Sequence, residues 1–340
     1  MTTGSNVKED AVHISAPARL HLGFLDPGAN FGRRFGGIGL AIDGPATSLS
    51  IARHRETSVE GPEAARARSY LESLMAHLGL GEGYRVEIET VIPSHSGLGS
   101  GTQLALALSC ALRTLEGRPL DVEGDSAILG RGQRSGLGAA FVTRGGLAVD
   151  GGKGEEDTPP PLVARFDFPD DWRVILVFET DLAGIHGEAE LDAFASLPAF
   201  PRDAAGEVSA LTLMQVLPGL VERDIKTFGH GLARIQAIVG SHFAPAQGGV
   251  FTSRRVARAM DAVKAHGGHG IGQSSWGPTG FAFAPSEASA RRIVERATAD
   301  GALDGLAVRI AKGRNEGARI ERGTGAGRHV RVLAGAGSRL

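Results

Sequence analysis

The sequence predicts a mixed α+β protein, rich in strands in its N-terminal half and in helices in its C-terminal half. Before residue 150, apolar residues alternate or run together over strand-length segments, and after residue 188 they recur mainly at helical spacing. Glycine clusters separate these segments. A stretch rich in Gly, Pro and acidic residues, 151–162, predicts a boundary between units 1–160 and 161–340.

Local patterns place the elements of the first unit. Residues 62–80 are predicted as a helix because Tyr70, Leu71, Leu74 and Leu78 share one helical face. Two further helices are expected over 102–116 and 121–129. Strands are expected around 16–22, 39–42, 47–53 and 84–92, and a hairpin over 139–143 and 146–150.

The second unit begins with a continuous apolar run at 172–179, which predicts a buried strand. Later strands are expected at 280–284 and 306–311. Helices are expected over 188–197, 207–216, 218–239, 254–266 and 286–300. The terminal stretch, rich in Arg and Gly, shows little pattern.

Composition excludes several classes of function. The net charge of −2 gives no support to a nucleic-acid-binding surface, which needs a basic face. The single cysteine, Cys110, excludes an intrachain disulfide and a cysteine-rich zinc site. No apolar run approaches the roughly 20 residues of a membrane span, and residues 1–10 lack a signal-peptide pattern. We therefore expect a cytoplasmic protein without nucleic-acid or membrane partners.

The most informative segment is a loop rich in glycine and serine, between the strand at 84–92 and the following helix. Glycines let a backbone approach a ligand closely, and the free N–H groups and dipole of a helix N-terminus favour an anion. A tight turn without ligand is the alternative. The predicted phosphate-binding residues are His95, Ser96, Gly97, Gly99, Ser100, Gly101, Thr102 and Gln103. The loop lacks the Gly-Lys-Ser/Thr of P-loops and the glycine spacing of Rossmann folds.

Three segments resemble motifs of the GHMP kinase superfamily. The loop at 93–101 is similar to Pro-x-x-x-Gly-Leu-Gly-Ser-Ser, residues 17–23 to the N-terminal motif, and residues 270–280 to the C-terminal glycine-rich motif. The resemblance implies a ribosomal-protein-like N-terminal lobe, a ferredoxin-like C-terminal lobe, and a site between them.

Two departures from the kinase pattern weigh against phosphoryl transfer. Gly101 stands where the kinases have a serine that helps hold the magnesium of the nucleotide. Residues 135–140 contain no carboxylate where many of these kinases have a catalytic aspartate. Since phosphoryl transfer needs a positioned nucleophile and a metal clamp, a kinase becomes the less favoured interpretation.

The variant residues resemble one branch of the superfamily, the β-ribofuranosylaminobenzene 5′-phosphate synthases, from about residue 14 to about residue 320. They are His95 and the segments 19–26, 36–41, 130–138, 145–152 and 243–249. The resemblance implies that phosphoribosyl pyrophosphate and 4-aminobenzoate (or 4-hydroxybenzoate) give an aryl C-riboside 5′-phosphate, CO₂ and pyrophosphate, in tetrahydromethanopterin biosynthesis. It also implies Mg²⁺ and a homodimer.

On this resemblance the predicted catalytic residues are Arg19, His21, Asp26 and Asp150, with Asp26 or Asp150 as candidate magnesium ligands. Predicted substrate-binding residues outside the loop are Arg131, Arg134, Ser135, Gln273, Ser274, Ser275 and Trp276. Ordinary alternatives exist: polar positions of an edge strand for 19–26, a turn cap for Asp150 and core packing for Trp276.

Other candidates and functions remain open from the sequence. Arg33 and Arg34 are either surface side chains or part of a lid over the anion, and His186 is a candidate polar site residue. The main alternative function is an ATP-dependent kinase of the homoserine or pantoate type, which ATP turnover would reveal. A binding subunit without catalysis is the third possibility.

Overall fold

Two sheets with helices on their faces make up the computed structural model, which describes residues 10–81, 83–155, 158–179, 196–324 and 327–333. The α+β prediction is confirmed. His186 and most of the helix expected over 188–197 lie outside the described residues. The strands are β1 (Ala11–Asp26), β2 (Phe35–His54), β3 (Ser58–Glu60), β4 (Gly83–Thr90), β5 (Leu147–Asp150), β6 (Leu162–Phe166), β7 (Arg173–Phe178), β8 (His269–Gln273), β9 (Gly280–Ala284), β10 (Ala307–Ala311), β11 (Arg319–Thr324) and β12 (Gly327–Val332).

With exceptions at 137–143 and 202–211, the helices lie near the ranges predicted from the sequence. They are α1 (Ala64–Leu78), α2 (Ser100–Leu115), α3 (Val122–Ile128), α4 (Leu137–Thr143), α5 (Arg202–Leu211), α6 (Leu217–Val221), α7 (Ile225–Gln247), α8 (Arg254–Ala265) and α9 (Glu287–Ala299). A π-helical turn, Thr212–Val216, joins α5 to α6. The helix expected over 218–239 is therefore two helices, because the helical conformation is interrupted at 222–224 and Asp224 caps the N-terminus of α7.

The first sheet runs in the order β12-β11-β1-β2-β4-β3, with β5 and β6 attached to β2. β1 and β2 form its centre as one long antiparallel pair, in register from Ala11↔Ala52 to Asp26↔Phe35 with two shifts. The strands predicted at 39–42 and 47–53 are thus one continuous strand. Helices α1 and α2 cover the sheet, and a buried core that includes Ile14, Leu71 and Leu108 lies between them.

The second sheet has the order β10-β7-β9-β8, all antiparallel. In chain order this is 4-1-3-2, the arrangement of a ferredoxin-like βαββαβ unit. Helices α8 and α9 pack on one face, where Ile175, Met260 and Ile293 are buried. The largest core cluster lies on the other side and joins the lobes: Leu20 and Leu22 of β1 share it with Phe228 and Phe283.

One expectation about local structure is wrong, and one segment without a predicted structure forms strands. Residues 137–143 form helix α4 rather than a hairpin strand, because Leu137 and Phe141, one turn apart, pack together on Ala41 and Ala148. The terminal stretch forms the hairpin β11–β12, in which β11 pairs with β1. The last strands therefore belong to the first sheet, although they fall within the expected second unit.

One helical run, Arg202–Val221, is long and apolar enough to cross a membrane by length and composition alone. Only 39% of its most apolar window is buried, and apolar helices of soluble cores pass the same test. It is weak evidence for a membrane span.

A buried ion pair joins α2 to α3. Asp125 accepts two hydrogen bonds of 2.6 Å from the Arg113 guanidinium and a further one from the Ser109 hydroxyl. The Asp125 side chain is fully buried and that of Arg113 is 9% exposed. The loop that begins after α3 supplies part of the cavity wall described below.

We expect Asp125→Asn to lower the free energy of unfolding by about 3–5 kcal/mol, because it leaves the Arg113 charge buried and unpaired. Urea denaturation measures this change. Asp261→Asn, on the exposed face of α8, is the control and should change stability by less than about 0.5 kcal/mol. Equal effects of the two substitutions would show that the ion pair does not hold α3.

Candidate active site

A cavity of about 430 Å³ opens where the two lobes meet. Five segments supply its walls: β1, α1, the loop leading into α2, the loop leading into α4, and the turn between β8 and β9. The lining residues are Arg19, His21, Phe24, Arg66, His95, Gly97, Gly99, Ser100, Gly101, Thr102, Gly130, Arg131, Gly132, Gln133, Arg134, Ser135, Gly138, Ser275, Trp276 and Gly277.

The predicted phosphate loop forms one wall. Gly99, with φ 78°, caps α2, and Ser100, Gly101 and Thr102 of the first turn face the cavity. The first turn carries no acidic residue, so its backbone N–H groups and the helix dipole present positive potential to the cavity.

Gly97 holds this loop against the C-terminal lobe. It adopts φ 82°, and a Cβ there would lie 2.1 Å from the carbonyl oxygen of Ser274. The Ser274 hydroxyl accepts a hydrogen bond from the His21 N–H (3.0 Å) and donates one to the Gly97 carbonyl (2.8 Å). The Thr279 hydroxyl donates to the carbonyl of Ser96. Three sequence-distant motifs therefore meet here, through the close approach at Gly97 and through hydrogen bonds between side-chain hydroxyls and backbone groups.

Four arginines, Arg19, Arg66, Arg131 and Arg134, line the cavity, and no Asp or Glu of the described residues does. The guanidinium of Arg131 lies over the ring of Tyr70, 5.3 Å from its centroid, and donates to the Tyr70 hydroxyl. A Cβ at Gly101 would lie 3.5 Å from Arg131 Nη1. Arg131 thus approaches the position where the kinases have serine.

Aromatic rings also line the cavity, and Phe243 packs behind them. The rings of His21 and Phe24 lie 4.4 Å apart, and Phe243 packs on Phe24 at 5.8 Å and on Trp276 at 4.5 Å. Burial and the neighbouring Arg19 charge hold the pKa of His21 well below its usual range, so the imidazole is neutral near neutral pH. Within the described residues, the buried Nε2 of His21 has no hydrogen-bond partner.

Asp150 lies behind the cavity rather than in its lining. Its Oδ2 accepts a hydrogen bond from the Ser135 hydroxyl (2.8 Å), and Oδ1 accepts from the N–H groups of Gly37 (3.1 Å) and Gly152 (3.0 Å). Burial raises its pKa, while these hydrogen bonds oppose the shift. Ser135 is the link between this carboxylate and the cavity.

Asp26 also lies outside the cavity lining. Its carboxylate accepts hydrogen bonds from Gly28 N–H (3.2 Å), Asn30 Nδ2 (2.9 Å) and Phe31 N–H (3.0 Å), and so orders the loop that follows β1. In the same loop Arg33 donates to the carbonyls of Gly151 and Gly152. Arg34 donates to Pro27. This loop is pinned to its neighbours, and neither arginine lines the cavity.

Most predicted site residues meet at the cavity, but some support it instead. Gln103 donates to the Gly138 carbonyl, and Gln273 and Ser274 fix the turn after β8. Ser96 is tied to Pro93. Sequence reasoning missed Phe24, Arg66 and Gln133 as lining residues. Arg66 lies in the first turn of α1, and no signal in the sequence distinguishes it from an ordinary solvent-exposed arginine on a helix.

Family comparisons identify both lobes. Residues 65–146 match the model of the GHMP kinases N terminal domain, and residues 216–303 match GHMP kinases C terminal. Beta-ribofuranosylphenol 5′-phosphate synthase of Archaeoglobus fulgidus is 34% identical over 325 residues, covering 91% of this chain and 99% of that protein. The chain belongs to the beta-ribofuranosylphenol 5′-phosphate synthase family. The resemblance found in the sequence is thereby confirmed.

Solved structures confirm the fold of this synthase-family chain. Mevalonate kinase of L. major, in complex with R-mevalonate, has a TM-score of 0.67 at 16% identity, covering 92% of this chain and 97% of that one. A structure described as MDDEF in complex with MVAPP, AMPPCP and magnesium has a TM-score of 0.63 at 17% identity, covering 92% and 99%. The shared fold thus includes a member with bound magnesium.

The synthase-family chain offers no matching metal site among its described residues. No group of three His, Cys, Asp or Glu side chains that could hold an ion occurs there. Asp26 and Asp150, the two carboxylates expected to bind magnesium, are each engaged by three hydrogen-bond donors. Because Mg²⁺ prefers carboxylate and other oxygen ligands, this donor set does not fit an ion held by protein carboxylates.

We expect Gly97→Ala to lower the free energy of unfolding by more than about 2 kcal/mol, since it adds a clash with Ser274 to the cost of a left-handed alanine. Gly79→Ala is the matched control: φ is 63° and nothing lies within 4 Å of the added Cβ, so only about 1–2 kcal/mol is expected. Urea unfolding compares them. Equal losses would contradict the tight contact between the loops.

Proposed function

We propose that this enzyme transfers the phosphoribosyl group of phosphoribosyl pyrophosphate to 4-aminobenzoate or 4-hydroxybenzoate, with loss of CO₂ and pyrophosphate. The observation that carries the proposal is the composition of the cavity lining. Four arginines and a helix N-terminus line it without any carboxylate among the described lining residues, and the rings of His21, Phe24 and Trp276 line it as well. A polyanionic sugar phosphate and a flat aromatic acid match these two kinds of lining residue.

The lining arginines and the N-terminus of α2 suit the departure of pyrophosphate. As the bond from ribose C1 to pyrophosphate breaks, negative charge grows on the leaving oxygens and the sugar becomes oxocarbenium-like. Preorganised donors such as Arg131, Arg134 and the N–H groups of Ser100 to Thr102 stabilise the leaving group without reorganisation. No protein nucleophile is needed.

The aromatic residues of the lining suit the acceptor. His21, Phe24 and Trp276 can hold a benzoate ring so that its carboxyl-bearing carbon faces ribose C1. Ring electrons form the C–C bond, and the electrons of the bond to the carboxyl carbon return to the ring as CO₂ leaves. Arg19, which lies two residues before His21 on β1, can pair with the carboxylate or a donor phosphate.

Several features support this reaction over the kinase alternative. A kinase of this fold would need a base and magnesium ligands near the loop, and the cavity lining has no carboxylate within the described part of the chain. The likeness to kinases extends to the fold alone. Any Mg²⁺ that takes part is proposed to arrive on the diphosphate of the donor, while a homodimer and a cytoplasmic location stay predictions.

Incubation with phosphoribosyl pyrophosphate, Mg²⁺ and carboxyl-labelled 4-aminobenzoate should release labelled CO₂ together with an aryl riboside phosphate. Gly99→Asp should abolish the release, because it places a carboxylate at the anion-binding helix N-terminus, and its Cβ would lie 3.3 Å from Arg19 Nε. ATP-dependent phosphorylation of an alcohol, with no CO₂ released, would contradict the proposal.

Arg131→Ala should raise the KM for phosphoribosyl pyrophosphate about 10- to 100-fold, which corresponds to the loss of one charged hydrogen bond. The KM for 4-aminobenzoate should change much less. Arg291→Ala removes an exposed arginine of α9 that pairs with Glu287, and it should leave steady-state kinetics unchanged. A rise confined to the KM for 4-aminobenzoate would show that Arg131 contacts the acceptor rather than the donor.

A further inference from the structure

Two buried titratable groups approach each other beside Gly37. Register in the first sheet places Gly37 of β2 opposite Phe24 of β1 on one side and opposite Asp150 of β5 on the other. A Cβ built on Gly37 would lie 3.4 Å from His21 Nε2 and 3.2 Å from Asp150 Oδ2. The imidazole and the carboxylate therefore both border the space that a Gly37 side chain would fill, together with Leu137 Cδ1 at 3.1 Å.

Each of the two groups can make a further hydrogen bond, one as a donor and the other as an acceptor. His21 is 2% exposed, lines the cavity, and its Nε2 has no hydrogen-bond partner in the described part of the chain. Asp150 Oδ2 accepts from Ser135, and a carboxylate oxygen can accept a second hydrogen bond. A buried ring nitrogen without a hydrogen-bond partner is unfavourable, so such a group calls for an explanation, and a hydrogen bond made when a ligand is bound supplies one.

We propose that Asp150 is a positioning residue for His21, accepting a hydrogen bond from Nε2–H and thereby leaving Nδ1 as an acceptor toward the cavity. Nδ1 then accepts a hydrogen bond from the para N–H or O–H of the aromatic acid. The inference rests on the proposed function and names the residues that recognise its acceptor. The structure does not contain the His21–Asp150 hydrogen bond, and we expect it to form when the acceptor binds.

This pairing fits the chemistry of attack by the ring. Positive charge develops on the para nitrogen or oxygen as the C–C bond forms, so a hydrogen bond donated by that group strengthens in the transition state. The neutral imidazole, with its pKa held low by burial and Arg19, keeps a lone pair for this bond. No proton has to move: the electrons released with CO₂ restore the ring.

Binding measurements test the assignment without relying on turnover. In the wild-type protein, 4-aminobenzoate should bind about 10-fold more tightly than benzoate, which lacks the para donor. His21→Leu should reduce this ratio to about 1, and His21→Gln, which keeps an acceptor oxygen, should restore part of it. Unchanged selectivity in His21→Leu would overturn the assignment.

Gly37→Ala and Asp150→Asn test the coupling. Gly37 lies outside the left-handed region, so its backbone accepts alanine, and the added methyl group presses on His21 Nε2, Asp150 Oδ2 and Leu137 Cδ1. Both variants should lose most of the 10-fold selectivity while phosphoribosyl pyrophosphate binding stays within about twofold. If both keep the wild-type ratio, Asp150 does not position His21. A protein that selects the para donor but forms no aryl riboside would instead contradict the proposed function alone.

Discussion

The close contact between Gly97 and Ser274 is the constraint on which the cavity depends. The Ser274 carbonyl occupies the place of a Gly97 side chain, and the Ser274 hydroxyl ties the His21 backbone to the same loop. One short segment of the C-terminal lobe thus sets the distance between the first strand and the helix N-terminus. The cavity walls supplied by these segments take their positions from this junction, where Gly97 has no room for a side chain.

The loop at the cavity resembles the phosphate loop of the GHMP kinases, with a changed charge pattern. Where related kinases have a serine that helps hold magnesium, Gly101 leaves room for the approach of Arg131. Arginine delivers fixed positive charge and several donors to phosphate oxygens without a bound ion. Such a site can stabilise a departing diphosphate, whereas nothing among the described lining residues could deprotonate an alcohol by means of a carboxylate.

Much of this could be predicted from the sequence because it depends on local signals. Glycine spacing predicted the loop and the start of α2, and helical periodicity predicted α1, α8 and α9. Residues whose roles depend on long-range register were not predictable in this way. Asp150 and Asp26 resemble each other in sequence, each next to a turn, yet one approaches His21 across two strand pairings and the other orders its own loop.

The prediction for the segment that forms helix α4 was wrong for a related physical reason. Its seven residues are too few for periodicity to distinguish a helix from a strand, and packing against Ala41 and Ala148 decided the outcome. The hairpin β11–β12 was missed because its strands are polar and depend on pairing with β1. In both cases tertiary contacts outweigh local pattern.

A crystal structure with bound phosphoribosyl pyrophosphate tests the central claim most directly. One phosphate group should lie at the N-terminus of α2, within hydrogen-bond distance of the backbone N–H groups of Ser100 to Thr102. The Arg131 or Arg134 guanidinium should contact the diphosphate, and ribose C1 should face His21 and Trp276. A donor bound outside this cavity, with its phosphates away from both the helix and the arginines, would contradict it.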